Sequence, residues 1–289
     1  MKKIIYIAGL GHSGSTVLDM ALGAHPEIVG LGEIYAVLNH KDHLNLFEKS
    51  TCSCGKKGND CDFWKEAKDI ATSNELNEEK YLKLIDLFDR LYNNNLILVD
   101  SSKNSYPYLK MLNAKFDLRI LYLSRDFRSW SYSRSSRTRK PLVYLILRWF
   151  LENKKLLYVL KKYKLNYFKV GYEELAHFPE LILKKVSTYT GIEFHDSMLS
   201  PANTKSHIIS GNIARVDNSK KTKFYYDMKW MVSGRLNFVS GFFSCFSKFN
   251  NKLIYTNIIK GEKKAFGKKS ADFHIFGNKR KEDLINEHN

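Results

Sequence analysis

Eight residues, Gly9-Leu-Gly-His-Ser-Gly-Ser-Thr16, join an apolar run over residues 4–10 to a helix-like run over residues 17–22. Glycines in such a place let the backbone curve so that its N–H groups point inward. The helix that follows adds unpaired amides and the positive end of its dipole, and together they bind an anion. Gly9 and Gly14 have the spacing of the P-loop pattern G-x-x-x-x-G-K-[ST], yet Ser15 stands at the lysine position while Thr16 keeps the hydroxyl. In a nucleotide kinase that lysine and Mg²⁺ offset the charge of the β- and γ-phosphates. A transferred group carrying less charge can do without both.

Further groups suited to anion binding or proton transfer recur at the ends of short apolar runs. Residues 28–31 end at Gly32-Glu33, residues 96–100 at Ser101-Ser-Lys103, residues 119–124 at Arg125-Asp126, and residues 166–170 at Gly171-Tyr172-Glu173-Glu174. Short apolar strands alternating with helical stretches predict an α/β protein, a parallel sheet flanked by helices on both faces. In open sheets of this kind ligands bind outside the carboxyl ends of the strands. The glycine loop, Glu33, Lys103, Arg125 and Tyr172 are therefore expected to converge on one edge.

With 289 residues and 44% hydrophobic content the chain can bury one full core, and residues 1–289 are expected to form a single domain. A polar, cysteine-containing insertion is placed at about 35–95, ending in an acidic helical stretch at about 77–92. No 18-residue apolar run is free of charge, which argues against a membrane-spanning helix. The start, Met1-Lys-Lys, runs through a short apolar stretch directly into the glycine loop and is expected to be the first strand rather than a leader. The formal charge of +17 is concentrated at 134–164, where Arg134, Arg137, Arg139, Lys140, Arg148, Lys154, Lys155, Lys161, Lys162 and Lys164 face one acid, Glu152. Interleaved Leu, Tyr and Trp make this segment one or two basic amphipathic helices, suited to an acidic sugar chain, an anionic lipid surface or nucleic acid, or else a solvated helix face.

Three of four cysteines cluster as Cys52-Ser-Cys54 and Cys61. A zinc site there needs a fourth ligand, for which His40 and His43 are candidates, and Cys-x-Cys is not the usual zinc-ribbon spacing. A disulfide or reduced structural thiols are the alternatives, and the expectation is that no metal is bound.

Taken together, these motifs resemble the sulfotransferase family, whose members share a P-loop NTPase-like fold and use 3′-phosphoadenosine 5′-phosphosulfate (PAPS), leaving 3′-phosphoadenosine 5′-phosphate (PAP). The resemblance covers most of the chain. His12-Ser-Gly-Ser-Thr16 matches the 5′-phosphosulfate loop, whose first position is commonly Lys or Arg. Arg125 and Ser133, eight positions apart, are similar to the pair that holds the 3′-phosphate. Tyr172-Glu-Glu174 resembles the family's segment near the adenine, and the run from His207 through Gly211, Asn212 and Arg215 resembles a late loop returning over the nucleotide. Ala24-His-Pro26 followed by Gly32-Glu33 is similar to the run that supplies the catalytic base of Golgi tyrosylprotein sulfotransferases. His40 and His43 are the alternatives, because cytosolic relatives use a histidine; His25 is expected to be structural.

The resemblance thus implies cofactor binding by Gly11, His12, Ser13, Gly14, Ser15, Thr16, Arg125, Ser133, Tyr172, Gly211, Asn212 and Arg215, with Glu33 as base. Lys103 meets charge growing on the leaving oxygen and His12, partly charged near neutral pH, assists. No metal is required. The acceptor is a hydroxyl or an amine, on a saccharide or glycolipid, lying between the insertion and the basic segment; no nucleic-acid partner is expected. The location implied is cytoplasmic, with peripheral contact at the inner membrane surface. The rival readings are a Mg-dependent P-loop kinase, since residues 96–100 imitate a Walker B strand, and a basic membrane- or polyanion-binding module with a vestigial nucleotide site.

Overall fold

The structure, a computed structural model, describes residues 1–92, 96–103, 106–217 and 224–258. It begins with β1 (Lys3–Gly9), whose side chains alternate between two cores: Ile4, Tyr6 and Ala8 enter one, Ile5 and Ile7 the other. A strand covered on both faces needs an unbroken apolar run, which is why β1 was visible in the sequence. After it come α1 (Ser15–Leu22) and β2 (Ile28–Gly30). The insertion holds α2 (Ile34–Leu38), α3 (His43–Lys49), α4 (Trp64–Thr72) and α5 (Asn77–Leu91). The chain continues through β3 (Ile97–Asp100), α6 (Tyr106–Lys115), β4 (Asp117–Ser124), α7 (Phe127–Thr138) and α8 (Leu142–Lys162). Next are β5 (Tyr167–Gly171), α9 (Tyr172–His177), α10 (Pro179–Thr190), α11 (Gly234–Gly241) and α12 (Ser247–Ile254).

All strand pairs are parallel and the sheet order is β2-β3-β1-β4-β5. Since β1 lies centrally, the chain leaves it toward β2 on one side and reaches β4 on the other side after β3. That reversal opens the crevice in which α/β sheets bind ligands. Gly9 pairs with Leu123, and a Cβ at Gly9 would fall 2.2 Å from the Leu123 carbonyl oxygen, so only glycine allows this approach.

Although polar in composition, the insertion buries Phe47, Phe63, Trp64, Tyr81 and Phe88 in the same core as one face of the sheet. Leu142, Leu145, Ile146, Trp149, Asn153, Leu156 and Leu160 form the buried stripe of α8, spaced by three and four residues as the basic amphipathic pattern requires. A late segment covers the free edge of β2: the Lys205 N–H donates to Gly23 O at 2.8 Å, the His207 N–H to Gly30 O at 2.6 Å, and Ser206 Oγ accepts from the Gly30 N–H at 3.1 Å. Among the described residues no helix is long and apolar enough to cross a membrane.

Candidate active site

Strand order brings the strand-end residues into a row along the carboxyl edge. From β2 to β5 it runs Glu33, Lys103, the glycine loop, Arg125 and Tyr172, with neighbouring strands about 4.8 Å apart. The loop turns into α1 at Gly14, whose φ of 95° lies in the left-handed region that glycine tolerates; no side chain caps this helix start. A Cβ at Gly14 would also sit 2.6 Å from Cδ2 of Tyr172, so that ring lies directly beneath the loop. These residues line one cavity of about 690 Å³, together with Gly11, His12, Ser15, Thr16, Ser133, Gly211 and Asn212. Its volume suits a small-molecule ligand, for which about 300–1,000 Å³ is typical.

Glu33 stands at the N-cap position of α2, where its side chain makes no capping bond, and its Oε1 accepts a hydrogen bond from Lys103 Nζ in a half-buried ion pair. Lys103 holds φ of 65°, uncommon for a residue with a side chain, and its N–H donates to Ile7 O at 3.1 Å, fixing the loop after β3 against β1. Gly211, at φ of 116°, comes over the pair from the late segment: a Cβ there would lie 3.0 Å from Glu33 Oε1 and 3.6 Å from Thr16 Oγ1.

On the other side of the loop Arg125 is fully positioned by the chain. Its Nε donates to Ser129 Oγ at 2.7 Å, Nη1 to His12 O at 3.2 Å, and its guanidinium lies 4.6 Å from the Tyr172 ring centroid. Trp130 Nε1 donates to Gly11 O at 2.7 Å, so Arg125 at the end of β4 and Trp130 on α7 together hold the loop at two carbonyls. Arg134 Nη1 donates to His12 Nε2 at 2.6 Å. Burial, then the charges of Arg134, Arg137, Lys103 and Arg125, lower the His12 pKa to about 4, so His12 is neutral at pH 7 rather than partly charged. The cation at the head of the loop is therefore Arg134, reaching in from α7. Sequence reasoning also missed Arg148 and Lys229 in the cavity wall; Arg148 is carried there by α8 packing back against α7, for which no local signal exists.

Several residues expected in the site stand away from the cavity wall. Arg215 does not line the cavity: its Nε donates to Thr51 O at 3.2 Å and its Nη1 to Gly211 O at 3.0 Å, so it ties the late segment to the insertion. Ser13 is buried beneath the loop rather than facing the cavity. His40 and His43 bond backbone carbonyls of Asp42 and Val37, at 2.7 and 2.9 Å, and neither lines the cavity. The insertion contributes none of the lining residues, and of the basic segment only Arg134, Arg137 and Arg148 do. Of Tyr172-Glu-Glu174 only the tyrosine faces the cavity. Glu173 accepts from the Asp126 N–H at 3.1 Å, and burial together with Asp126 raises its pKa; Glu174 accepts from the N–H groups of Asn257 and Ile258 at 2.8 and 3.1 Å.

Asp100, at the position of a Walker B acid, is fully buried and absent from the cavity wall. It accepts hydrogen bonds from Tyr81 Oη and from the Ser102 N–H and hydroxyl. Six cations, Lys103, Arg125, Arg134, Arg137, Arg148 and Lys229, face two acids, Glu33 and Asp227, across the cavity. The charge of such a site suits a polyanion, with a carboxylate–ammonium pair at one end of the cavity and a guanidinium cluster at the other.

A parallel sheet with a glycine loop at its carboxyl edge is an architecture shared by several families, and the comparison with known families specifies which. The chain belongs to the sulfotransferase family, whose model matches residues 5–196. The sulfotransferase domain of the Synechococcus PCC 7002 olefin synthase is similar over 84% of this chain and 94% of that one, at 17% identity and a TM-score of 0.53. That likeness shows the shared fold. A sulfotransferase of Mycobacterium tuberculosis H37Rv is similar over 72% of each chain, at 13% identity and a TM-score of 0.48. No curated protein matches the chain.

Proposed function

We propose that this sulfotransferase moves a sulfuryl group from PAPS to an acceptor hydroxyl, or to an amine, on a saccharide or glycolipid. The observation that carries the reading is the division of the cavity about the glycine loop. The guanidinium cluster with Ser133 stands where a second phosphate would be recognised, and the Glu33–Lys103 pair stands at the opposite end. The donor set fits PAPS: the loop and the start of α1 would hold the 5′-phosphosulfate, and Arg125, Ser133 and Arg134 the 3′-phosphate. PAPS supplies a sulfuryl group joined to a phosphate leaving group.

Glu33 takes the acceptor proton as the acceptor oxygen bonds to sulfur and the bond from sulfur to the phosphate oxygen breaks, leaving PAP. Lys103 moves from Glu33 toward that departing oxygen, which both frees the base and meets the growing charge. Thr16 and the loop amides act on the same oxygen. Burial of Asp100 among three donors argues against the kinase reading, because that carboxylate has no free approach to a nucleotide-bound Mg²⁺. Acceptor access is assigned to the outer face of α8, where Tyr144, Leu147, Leu151 and Tyr158 are exposed among Lys154, Lys155, Lys161 and Lys162. An apolar and basic face of this kind suits a glycolipid at the cytoplasmic surface of a membrane.

Calorimetry tests the donor. PAP is expected to bind without Mg²⁺ and more tightly than ADP or AMP. Arg125→Ala is expected to weaken PAP by about tenfold or more, since a charge-assisted hydrogen bond is worth about 1.5–3 kcal/mol, and to leave AMP nearly unaffected. Equal losses for PAP and AMP, or tighter binding of ATP with Mg²⁺, would remove the assignment.

A further inference from the structure

Cys52, Cys54 and Cys61 converge with His207, which the fold brings back from the far side of the sheet. Their ligand atoms all lie within 4.8 Å of one another. Cys61 Sγ is 3.6 Å from Cys52 Sγ, 3.7 Å from Cys54 Sγ and 3.2 Å from His207 Nδ1. A disulfide would bring two sulfurs to about 2.05 Å. Sulfurs about 2.3 Å from a shared tetrahedral ion instead lie about 3.8 Å apart, close to the spacing seen.

We propose that these four residues form a structural zinc site that fastens the late segment to the insertion. Three thiols and one imidazole, closed around a point, are a donor set suited to tetrahedral Zn²⁺. The surroundings have the form of a metal site. Gly55, at φ of 90°, turns the chain so that the Cys52 N–H donates to Lys56 O at 2.8 Å and the Gly55 N–H to Cys52 O at 2.9 Å.

His207, 9% exposed, is held between the rings of Phe63 and Tyr92, at centroid distances of 6.3 and 6.4 Å, and its carbonyl accepts from Trp64 Nε1 at 2.5 Å. Ser53 adds one backbone and one side-chain bond to the same segment: its N–H donates to Ile208 O at 3.0 Å and its Oγ accepts from the Ile208 N–H at 2.8 Å. Four residues beyond His207 is Gly211, against Glu33 and Thr16. The ion would thus hold the chain that closes over the catalytic pair, without touching the reaction.

The test begins with the purified full chain, whose metal content is measured by plasma mass spectrometry after removal of loosely bound ions. The expected result is close to one zinc per chain, released by a thiol-reactive mercurial and replaceable by Co²⁺ with the visible absorption of a tetrahedral thiolate site. Cys54→Ser, at the most exposed ligand, and His207→Gln are each expected to lose the metal or lower its affinity. Cys245→Ser, a change at the remote exposed cysteine, is expected to keep it. Chelation of the unaltered protein should lower its melting temperature and speed amide exchange in 50–61 and 204–211 before other regions. Metal-free folded protein with four titratable thiols, a disulfide among Cys52, Cys54 and Cys61, or a bound ion indifferent to both Cys54→Ser and His207→Gln would each overturn the proposal. PAP binding is read separately, so failure here leaves the donor assignment standing.

Discussion

Glu33 and Lys103 form an ion pair, so the base proposed here becomes available only as the lysine finds a better anion. Glu33→Gln keeps the shape and removes the proton acceptor. It should lower sulfuryl turnover by about 10²–10⁴-fold, the usual worth of a general base, while PAP affinity changes little. Full turnover in that variant would place the base elsewhere. Lys103 adds a conformational test, since its φ of 65° strains any residue with a Cβ. Lys103→Gly and Lys103→Ala should be equally impaired in turnover, yet the glycine variant should be more stable than the alanine one by about 1 kcal/mol, measured by denaturant unfolding. No difference in stability would mean that the loop after β3 relaxes when the lysine is lost. His12 shows how far a residue's role depends on neighbours. Its place at the head of the loop was evident from the glycine spacing, but its neutrality follows from burial and from Arg134, which arrives from another element.

At the scale of elements, α7 and α8 divide the basic segment between two tasks. Arg134, Arg137 and Arg148 enter the cavity, whereas Lys154, Lys155, Lys161 and Lys162 stay on the solvent side of α8. Replacing those four lysines together by Gln should leave PAP binding unchanged. The same variant should weaken binding to anionic vesicles, by about 1 kcal/mol per lysine near the surface, and raise the KM for a membrane-borne acceptor. Unchanged vesicle binding and KM would return this face to ordinary solvation. Both the basic stripe and its apolar complement were legible, because periodicity is local. Which cations faced inward was not, because the answer depends on how α8 folds back on α7. Arg215 stands off the cavity for a related reason: a charged residue four positions after Gly211 looks available for a phosphate, but the insertion offers its guanidinium the Thr51 carbonyl.

For the molecule as a whole, the buried acids beneath the site couple stability to pH. Burial raises Asp19 to about 7 and Asp100 to about 6, each with the other's charge or nearby hydrogen bonds as smaller influences. Between about pH 4 and pH 7 Asp19 is protonated in the folded chain and ionised in the unfolded one. The folded state then binds more protons, so the contribution of Asp19 is full below about pH 4, falls as pH rises, and is lost above about pH 7. Asp19→Asn removes this slope while keeping an oxygen for Ser206 Oγ, which lies 3.0 Å from Asp19 Oδ1. The stability of the variant relative to the unaltered chain should therefore increase from about pH 4 to pH 7 and then level, read by chemical unfolding across pH. A constant difference would mean that Asp19 is ionised in the fold throughout. His12 acts oppositely, its stabilising neutrality being lost as pH falls from 6.5 toward about 4, so single-residue differences are the informative measurement.

The amino-acid sequence by itself determined the strands, the anion loop and the chemistry at each strand end. Strands buried on both faces require contiguous apolar runs, and the polar residue after each run must emerge at the same edge of a parallel sheet. That is why Glu33, Lys103, Arg125 and Tyr172 could be placed together from local pattern alone. Only the tertiary structure decided their order along the edge, because crossover connections set β3 between β2 and β1. It alone gave Arg134 the place of the missing loop cation, directed Arg215 away from the cavity, and delivered His207 rather than His40 or His43 to the three cysteines. Each of these depends on contacts between residues distant in the chain, whose meeting is governed by packing and not by any spacing that local periodicity records.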